Sequence, residues 1–161
     1  MEAIDALRKR RSIRSYRGEA VPRAVLETIV DAGRLAATGS NRQPWDFIVV
    51  TERDMIAQLS ACGSWIAAVS ALIVVVMNPA SRWWVEDGAA AIENMLLACT
   101  ALGYGSCWVE GDVQAHEERF MTLLGIPHGR RLMAILPVGV PAEAPEPQKR
   151  ALESVLHWEK F

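Results

Sequence analysis

The chain has few cysteines and histidines, and neither type is arranged for a metal site. Its three cysteines, Cys62, Cys99 and Cys107, are odd in number and scattered, without a C-x-x-C pair or a histidine at metal-ligand spacing. The three histidines are equally dispersed and are expected at surface or structural positions. We therefore expect no metal centre, and reduced thiols in the core of a cytoplasmic protein.

Several functional motifs are also missing. There is no G-x-S-x-G, no H-E-x-x-H and no phosphate-binding P-loop. The sequence Gly103-Tyr104-Gly105 lacks the spacing of a dinucleotide fingerprint and follows a predicted helix instead of opening one, which argues against a Rossmann fold. Residues 1–5 contain no apolar signal core, and turn residues interrupt the long uncharged stretches, so we expect neither export nor a membrane span.

The composition is that of a globular protein, with 51% hydrophobic and 22% charged residues in a chain of 161. This length predicts one domain over residues 1–161. Six tryptophans are many for such a chain, and surplus large aromatics often serve a subunit interface or a flat ligand. The net charge of −2 does not favour nucleic-acid binding.

Apolar periodicity gives a coarse secondary structure. It predicts a short helix ending near Arg11, helices over residues 25–33, 55–59, 65–69 and 83–102, and a last helix capped by Asp112 and closed by Gly125. It predicts strands over Trp45–Val50, Ala71–Met77, 106–109 and 132–138. The first strand is apolar enough to predict burial on both faces. Residues 139–148 should form an extended arm, and residues 152–161 carry apolar side chains that can pack on a neighbour.

The most informative stretch is the basic run at residues 8–17, which holds six of the seventeen lysines and arginines. Ser12 and Arg14 fall on one side of an extended segment, and Ile13 falls on the other, where it can anchor in the core. The pattern indicates the wall of an anion-binding pocket. The alternative is a solvated helix end whose cations complement the helix dipole.

Three other polar segments could contact a flat, phosphorylated ligand. Residues 40–44 offer two amide side chains for a heterocycle edge, although they also suit a plain turn before a strand. Gly111 follows a predicted strand, where backbone N–H groups can approach a ligand, or where an ordinary turn would lie. Lys149 and Arg150 form a second cationic site, or simply an exposed pair.

In this order the segments resemble the nitroreductase family of FMN-dependent oxidoreductases, over nearly the whole chain. The matching parts are residues 10–14, 39–45 and 103–108 and Arg150. The resemblance implies an α+β fold, with a mixed, mainly antiparallel central sheet flanked by helices. It also implies an intertwined homodimer with FMN at the interface. The chain would be a short variant, since the extra helices of larger members are absent.

The resemblance also implies roles for individual residues. Arg10, Lys149 and Arg150 would meet the FMN phosphate, with Arg11 and Ser12 alongside, and Arg14 would reach the pyrimidine edge of the flavin. The residues expected from the partner subunit are Thr38, Gly39, Ser40, Asn41 and Gln43. Glu110 and Gly111 would lie near flavin N5, and Trp83 and Trp84 are candidates for a roof over the ring or for a core or dimer role.

The implied activity is a ping-pong exchange in which NAD(P)H reduces FMN and a small acceptor, such as a nitroaromatic or a quinone, then takes the electrons. Hydride transfer to and from the flavin needs no protein nucleophile, so no catalytic residue is predicted. The alternative is a non-catalytic protein that binds a flavin or a nucleotide.

Overall fold

A computed structural model describes all 161 residues. Its helices are α1 (Ala3–Lys9), α2 (Arg23–Arg34), α3 (Arg53–Leu59), α4 (Trp84–Ala101), α5 (Gly111–Gln114) and α6 (Glu117–Leu124). Its strands are β1 (Trp45–Val50), β2 (Ala71–Met77), β3 (Gly105–Ser106) and β4 (Arg131–Gly139). Short 3₁₀ turns occupy Gly39–Asn41, Ser60–Cys62, Ser64–Ala68 and Leu152–Ser154.

The four strands form one sheet in the order β1-β2-β4-β3, and every ladder is antiparallel. The single parallel pairing is an isolated bridge between Ser12 and Ser106. Together with the flanking helices, this sheet confirms the predicted α+β class with a mainly antiparallel centre.

Both faces of the sheet are covered, because β2 alternates its side chains between two cores. Ile73 and Val75 belong to the core that includes residues of α2 and α4, whereas Leu72 and Val74 belong to the core that includes residues of α3 and α6. All seven residues of β2 are buried. The predicted continuous apolar strand therefore lies at the centre of the molecule.

Close packing of α2 on α4 depends on small residues. A Cβ added to Gly33 of α2 would come within 2.8 Å of the Met95 side chain on α4. Beside this contact, Asn94 Nδ2 of α4 donates a hydrogen bond of 3.1 Å to the Ala32 carbonyl. These contacts fix α4, whose N-terminal half borders the candidate site described below.

One burial prediction is wrong. The central residues of β1 are exposed or half-buried, and Asp46 and Val49 are exposed. β1 is the edge strand of the sheet, and at this rim the flanking helices cover it only in part. An apolar run alone does not distinguish an edge strand from a central one.

The region after α4 also differs from the expectation. The predicted strand over residues 106–109 is reduced to β3, followed by an isolated bridge between Val109 and Ile135. Asp112 does not cap α6 but lies inside the separate short helix α5. The predicted end of α6 is confirmed, because Gly125 adopts the left-handed conformation at φ 64°.

The structure confirms the prediction for the thiols but does not test the one for the C-terminal segment. All three cysteines are unpaired and buried, as expected. Residues 140–150 form no helix or strand, and the side chains of residues 151–161 are exposed. That this final segment packs on a neighbour stays a prediction. None of the helices combines the length and hydropathy needed to cross a bilayer.

Candidate functional site

The basic segment, residues 10–17, is extended and anchored from both sides. The Ile13 N–H donates to the Ser106 carbonyl at 2.9 Å, and the Ile13 side chain is buried against Gly105, where a Cβ would clash with it. Tyr16 forms a bridge to Pro141. With Ile13 in the core as predicted, Ser12 and Arg14 are free to line a surface cleft.

That cleft, here called the basic cleft, has a volume of about 540 Å³. Its lining consists of Arg10, Arg11, Ser12, Arg14, Pro145, Glu146, Pro147 and Lys149. Four cationic side chains face a single carboxylate, so the cleft attracts anions. The structure thus gathers five predicted site residues from two distant parts of the chain.

Two of the guanidinium groups are held in place by neighbours. Arg10 Nε lies 3.2 Å from Glu93 Oε1 of α4. Arg11 Nη1 donates to the carbonyls of Arg8 and Arg10 at 2.7 Å each, at the C-terminal end of α1. The basic run therefore does complement this helix end, as the alternative interpretation proposed, but it also lines a cleft.

Glu143 holds the arm, residues 139–148, against the basic segment, a contact that no sequence pattern predicts. Its Oε1 accepts hydrogen bonds from the backbone N–H groups of Arg14 and Ser15, at 2.5 and 3.0 Å. Next to it, the Ala142 N–H donates to the Ser15 carbonyl at 2.9 Å. These bonds bring the following residues, including Lys149, to the basic cleft. Nothing in the sequence separates Glu143 from the other acids of the proline-rich arm.

A second cavity, here called the aromatic groove, has a volume of about 260 Å³. It is lined by Arg14, Cys62, Trp65, Cys107, Trp108, Val109, Glu110, Gly111 and Asp112. Arg14 lines both cavities, which makes the basic cleft and the aromatic groove adjacent. The buried Trp108 Nε1 has no hydrogen-bond acceptor.

The predicted residues Glu110 and Gly111 both belong to this groove. Glu110 Oε1 accepts a hydrogen bond of 3.2 Å from Gln114 Nε2 one turn along. Apart from its chain neighbours and the backbone of its own helix, no atom lies within 4 Å of the place that a Cβ on Gly111 would occupy, so a ligand can approach the backbone here. Burial raises the pKa of the Cys107 thiol, and the nearby Arg14 charge partly opposes that rise.

The loop Thr38–Gln43, by contrast, lies at the N-terminal end of α4 and lines neither cavity. The Gly39 N–H donates to Asp87 Oδ1 of α4 at 2.9 Å. Ser40, Asn41 and Gln43 all have positive φ values, between 49° and 54°. Three non-glycine residues in this sparsely populated region mark a strained loop, which is typical of functional sites.

Two further predicted contacts lie apart from the basic cleft. Arg150 does not line it, and its Nη2 donates to the Ser154 carbonyl at 2.6 Å, so its phosphate role stays a prediction. Trp83 is 43% exposed. It packs against Gly39, and the Arg82 guanidinium lies 4.6 Å from its ring centroid. Trp83 thus belongs to the surroundings of the Thr38–Gln43 loop.

Comparison with known proteins gives one consistent result. The model of the nitroreductase family matches residues 7–72 and 61–140. An Archaeoglobus fulgidus protein named "Putative NADH dehydrogenase/NAD(P)H nitroreductase" is 37% identical over 153 residues, covering 88% of this chain and 87% of that protein. The family model therefore covers every residue that lines the aromatic groove, and residues 10–14 of the basic cleft.

Solved structures agree. The FMN-dependent nitroreductase of Clostridium difficile R20291 superposes with a TM-score of 0.89 at 26% identity, covering 98% of this chain and 99% of that one. A Desulfovibrio desulfuricans protein crystallised with FMN gives a TM-score of 0.87 at 29% identity, covering 100% and 98%. These findings confirm the family resemblance and the α+β fold: the chain belongs to the nitroreductase family.

Proposed function

We propose that this protein is an FMN-dependent oxidoreductase that takes electrons from NAD(P)H and passes them, in a ping-pong exchange, to a small acceptor such as a nitroaromatic or a quinone. The observation that carries the proposal is the position of Arg14, which lines both the basic cleft and the aromatic groove. A ligand with an anionic end and a flat ring could occupy the two together. The flavin dependence and the nucleotide donor named for the relatives support the same reading.

The residues present fit FMN. A phosphate dianion requires charge-assisted donors, and Arg10, Arg11, Lys149 and the Ser12 hydroxyl supply them in one cleft. A flat ring requires aromatic and apolar walls with a few polar groups, which Trp65, Trp108, Val109 and Glu110 supply in the groove. We assign the phosphate to the basic cleft and the ring to the side of Arg14 that faces the groove.

The remaining assignments concern residues outside the two cavities. We propose that the partner subunit contributes Thr38, Gly39, Ser40, Asn41 and Gln43, because these residues line neither cavity in their own chain. Arg150 would join the phosphate site only if the C-terminal segment moved from its position beside Ser154.

When bound, FMN supplies the hydride chemistry between NAD(P)H and the acceptor. The protein would position the ring and stabilise charge, and Arg14, whose backbone is held by Glu143, would provide a cation beside it. No side chain is needed as a nucleophile. Burial raises the pKa of Cys62 to about 11, so this thiol of the groove stays protonated at neutral pH.

The direct test is reduction of the purified protein under anaerobic conditions. We expect a yellow protein with flavin absorption bands that bleach on addition of NADH or NADPH and return on addition of an acceptor. If neither NADH nor NADPH bleaches the flavin bands, the result would instead favour the alternative, a flavin-binding protein without turnover. A colourless protein that takes up no added FMN would contradict both.

If two subunits share each FMN site, the protein is a homodimer, and its dissociation should release FMN. Large apolar side chains support a partner: Leu35 after α2 is 66% exposed and Ile4 on α1 is 57% exposed. During dilution, light scattering measures the mass of the assembly, and flavin absorbance measures how much FMN stays bound. A monomer that retains one FMN per chain at micromolar concentration would refute the shared site.

A further inference from the structure

We infer that Asp87 is a positioning residue that holds the Thr38–Gln43 loop in the shape needed for FMN, an inference that rests on the proposed function. Asp87 lies in the first turn of α4 and is 4% exposed. Its Oδ1 accepts a hydrogen bond of 2.9 Å from the Gly39 N–H. This bond joins the helix to the loop across 48 residues of sequence.

The second carboxyl oxygen of Asp87 gains no hydrogen bond from the protein. Asp87 Oδ2 is buried and has no hydrogen-bond donor. A buried polar atom without a partner costs free energy, whereas an apolar side chain of similar size would avoid that cost. The carboxyl group gains one bond to the loop in return. A buried carboxyl group whose one hydrogen bond within the protein goes to a strained loop points to a role in that loop.

The loop needs such a restraint because it is strained. Ser40, Asn41 and Gln43 occupy the left-handed region, where non-glycine residues are disfavoured. Within the loop, Gln43 N–H donates to Thr38 Oγ1 at 3.2 Å. From outside it, Asp87 holds the Gly39 N–H, and the Trp83 ring blocks any side chain at Gly39. Without Asp87, the loop would relax toward less strained backbone conformations.

The variants Asp87→Ala and Asp87→Asn separate positioning from structural support. Asparagine retains an oxygen that can accept the Gly39 N–H, and alanine does not. We expect Asp87→Ala to change the melting temperature of the FMN-free protein only slightly, because loss of the bond to the Gly39 N–H is partly offset by removal of the unpaired Oδ2. Its FMN dissociation constant should rise about tenfold, and that of Asp87→Asn should stay within about threefold of the wild type.

A readout without flavin tests the loop directly. In the FMN-free protein, amide hydrogen exchange of residues 39–43 should accelerate in Asp87→Ala and stay slow in Asp87→Asn. Asn94→Ala is the matched control, because it removes a bond from the same helix to the Ala32 carbonyl and leaves the loop untouched. This control should change neither loop exchange nor FMN affinity.

The outcomes distinguish the two proposals. Wild-type protein that binds no FMN overturns the proposed function, while faster loop exchange in Asp87→Ala would still support the restraint on the loop. Wild-type binding together with unchanged loop exchange and unchanged FMN affinity in Asp87→Ala overturns the positioning role. A parallel loss of melting temperature and affinity in both Asp87 variants, without rescue by asparagine, also overturns it.

Discussion

Arg10→Ala is expected to weaken FMN binding by about one to two orders of magnitude and to leave riboflavin binding nearly unchanged. A charge-assisted hydrogen bond contributes about 1.5 to 3 kcal/mol net, and riboflavin lacks the phosphate that would accept it. The substitution also leaves Glu93, whose Oε1 lies 3.2 Å from Arg10 Nε in the wild type, without its cation. Repulsion between that carboxylate and the phosphate would add to the loss.

Titration of the FMN-free protein with both ligands, followed by flavin fluorescence, measures the difference. Arg23→Ala is the matched control, because Arg23 also forms a salt bridge, with Glu27 at 2.8 Å, but lines neither cavity. Arg10→Lys should recover part of the affinity by retaining the charge. Equal losses for FMN and riboflavin in Arg10→Ala would place Arg10 at the ring or in the fold instead of at the phosphate.

Arg14→Gln is expected to make bound FMN harder to reduce. Reduced flavin carries negative charge that a neighbouring guanidinium stabilises more than it stabilises the neutral oxidised ring. Loss of about 1.4 kcal/mol of this differential stabilisation lowers a two-electron midpoint potential by about 30 mV. Oxidised FMN should remain bound through the basic cleft, where Arg10, Arg11 and Lys149 persist.

A potentiometric titration with a reference dye measures the midpoint of each variant. Arg11→Gln is the appropriate comparison, because Arg11 lines the basic cleft but not the aromatic groove. It should weaken binding with little effect on the potential. An unchanged midpoint in fully loaded Arg14→Gln would remove Arg14 from the flavin ring and undermine the assignment of the ring to the groove.

Sequence patterns predicted those elements whose formation depends on the spacing of neighbouring apolar side chains. The apolar run of β2, the long apolar α4 and the alternation around Ile13 each follow from side-chain periodicity, and the structure contains all three. The gathering of Arg10 to Arg14 with Lys149 in one cleft was also anticipated, through the family resemblance. Charge clustering alone indicated a pocket wall at residues 10–14, and only the resemblance placed Lys149 beside it.

Long-range polar contacts were not predictable in the same way. Glu143 and Asp87 each accept hydrogen bonds from the backbone of a segment far away in the sequence. Almost every residue has a backbone N–H, so the amino-acid sequence does not indicate which N–H such a carboxylate will meet. Asp87 did carry a weak signal, as an acid at a buried position of an apolar helix. The exposure of β1 depends on its place at the sheet edge, which only the assembled topology fixes.

All three cysteines are unpaired and buried, so the rate at which each thiol is alkylated reports how often the structure around it opens. Only a thiolate reacts readily with an alkylating reagent, and burial raises the pKa of Cys99 to about 12. Cys99 belongs to the core that includes residues of α2 and α4, so its labelling rate reports opening of that core. Cys107 lines the aromatic groove beside Arg14, so its labelling reports local opening of the groove. The ratio of the Cys107 and Cys99 labelling rates therefore distinguishes local opening of the aromatic groove from unfolding of the core.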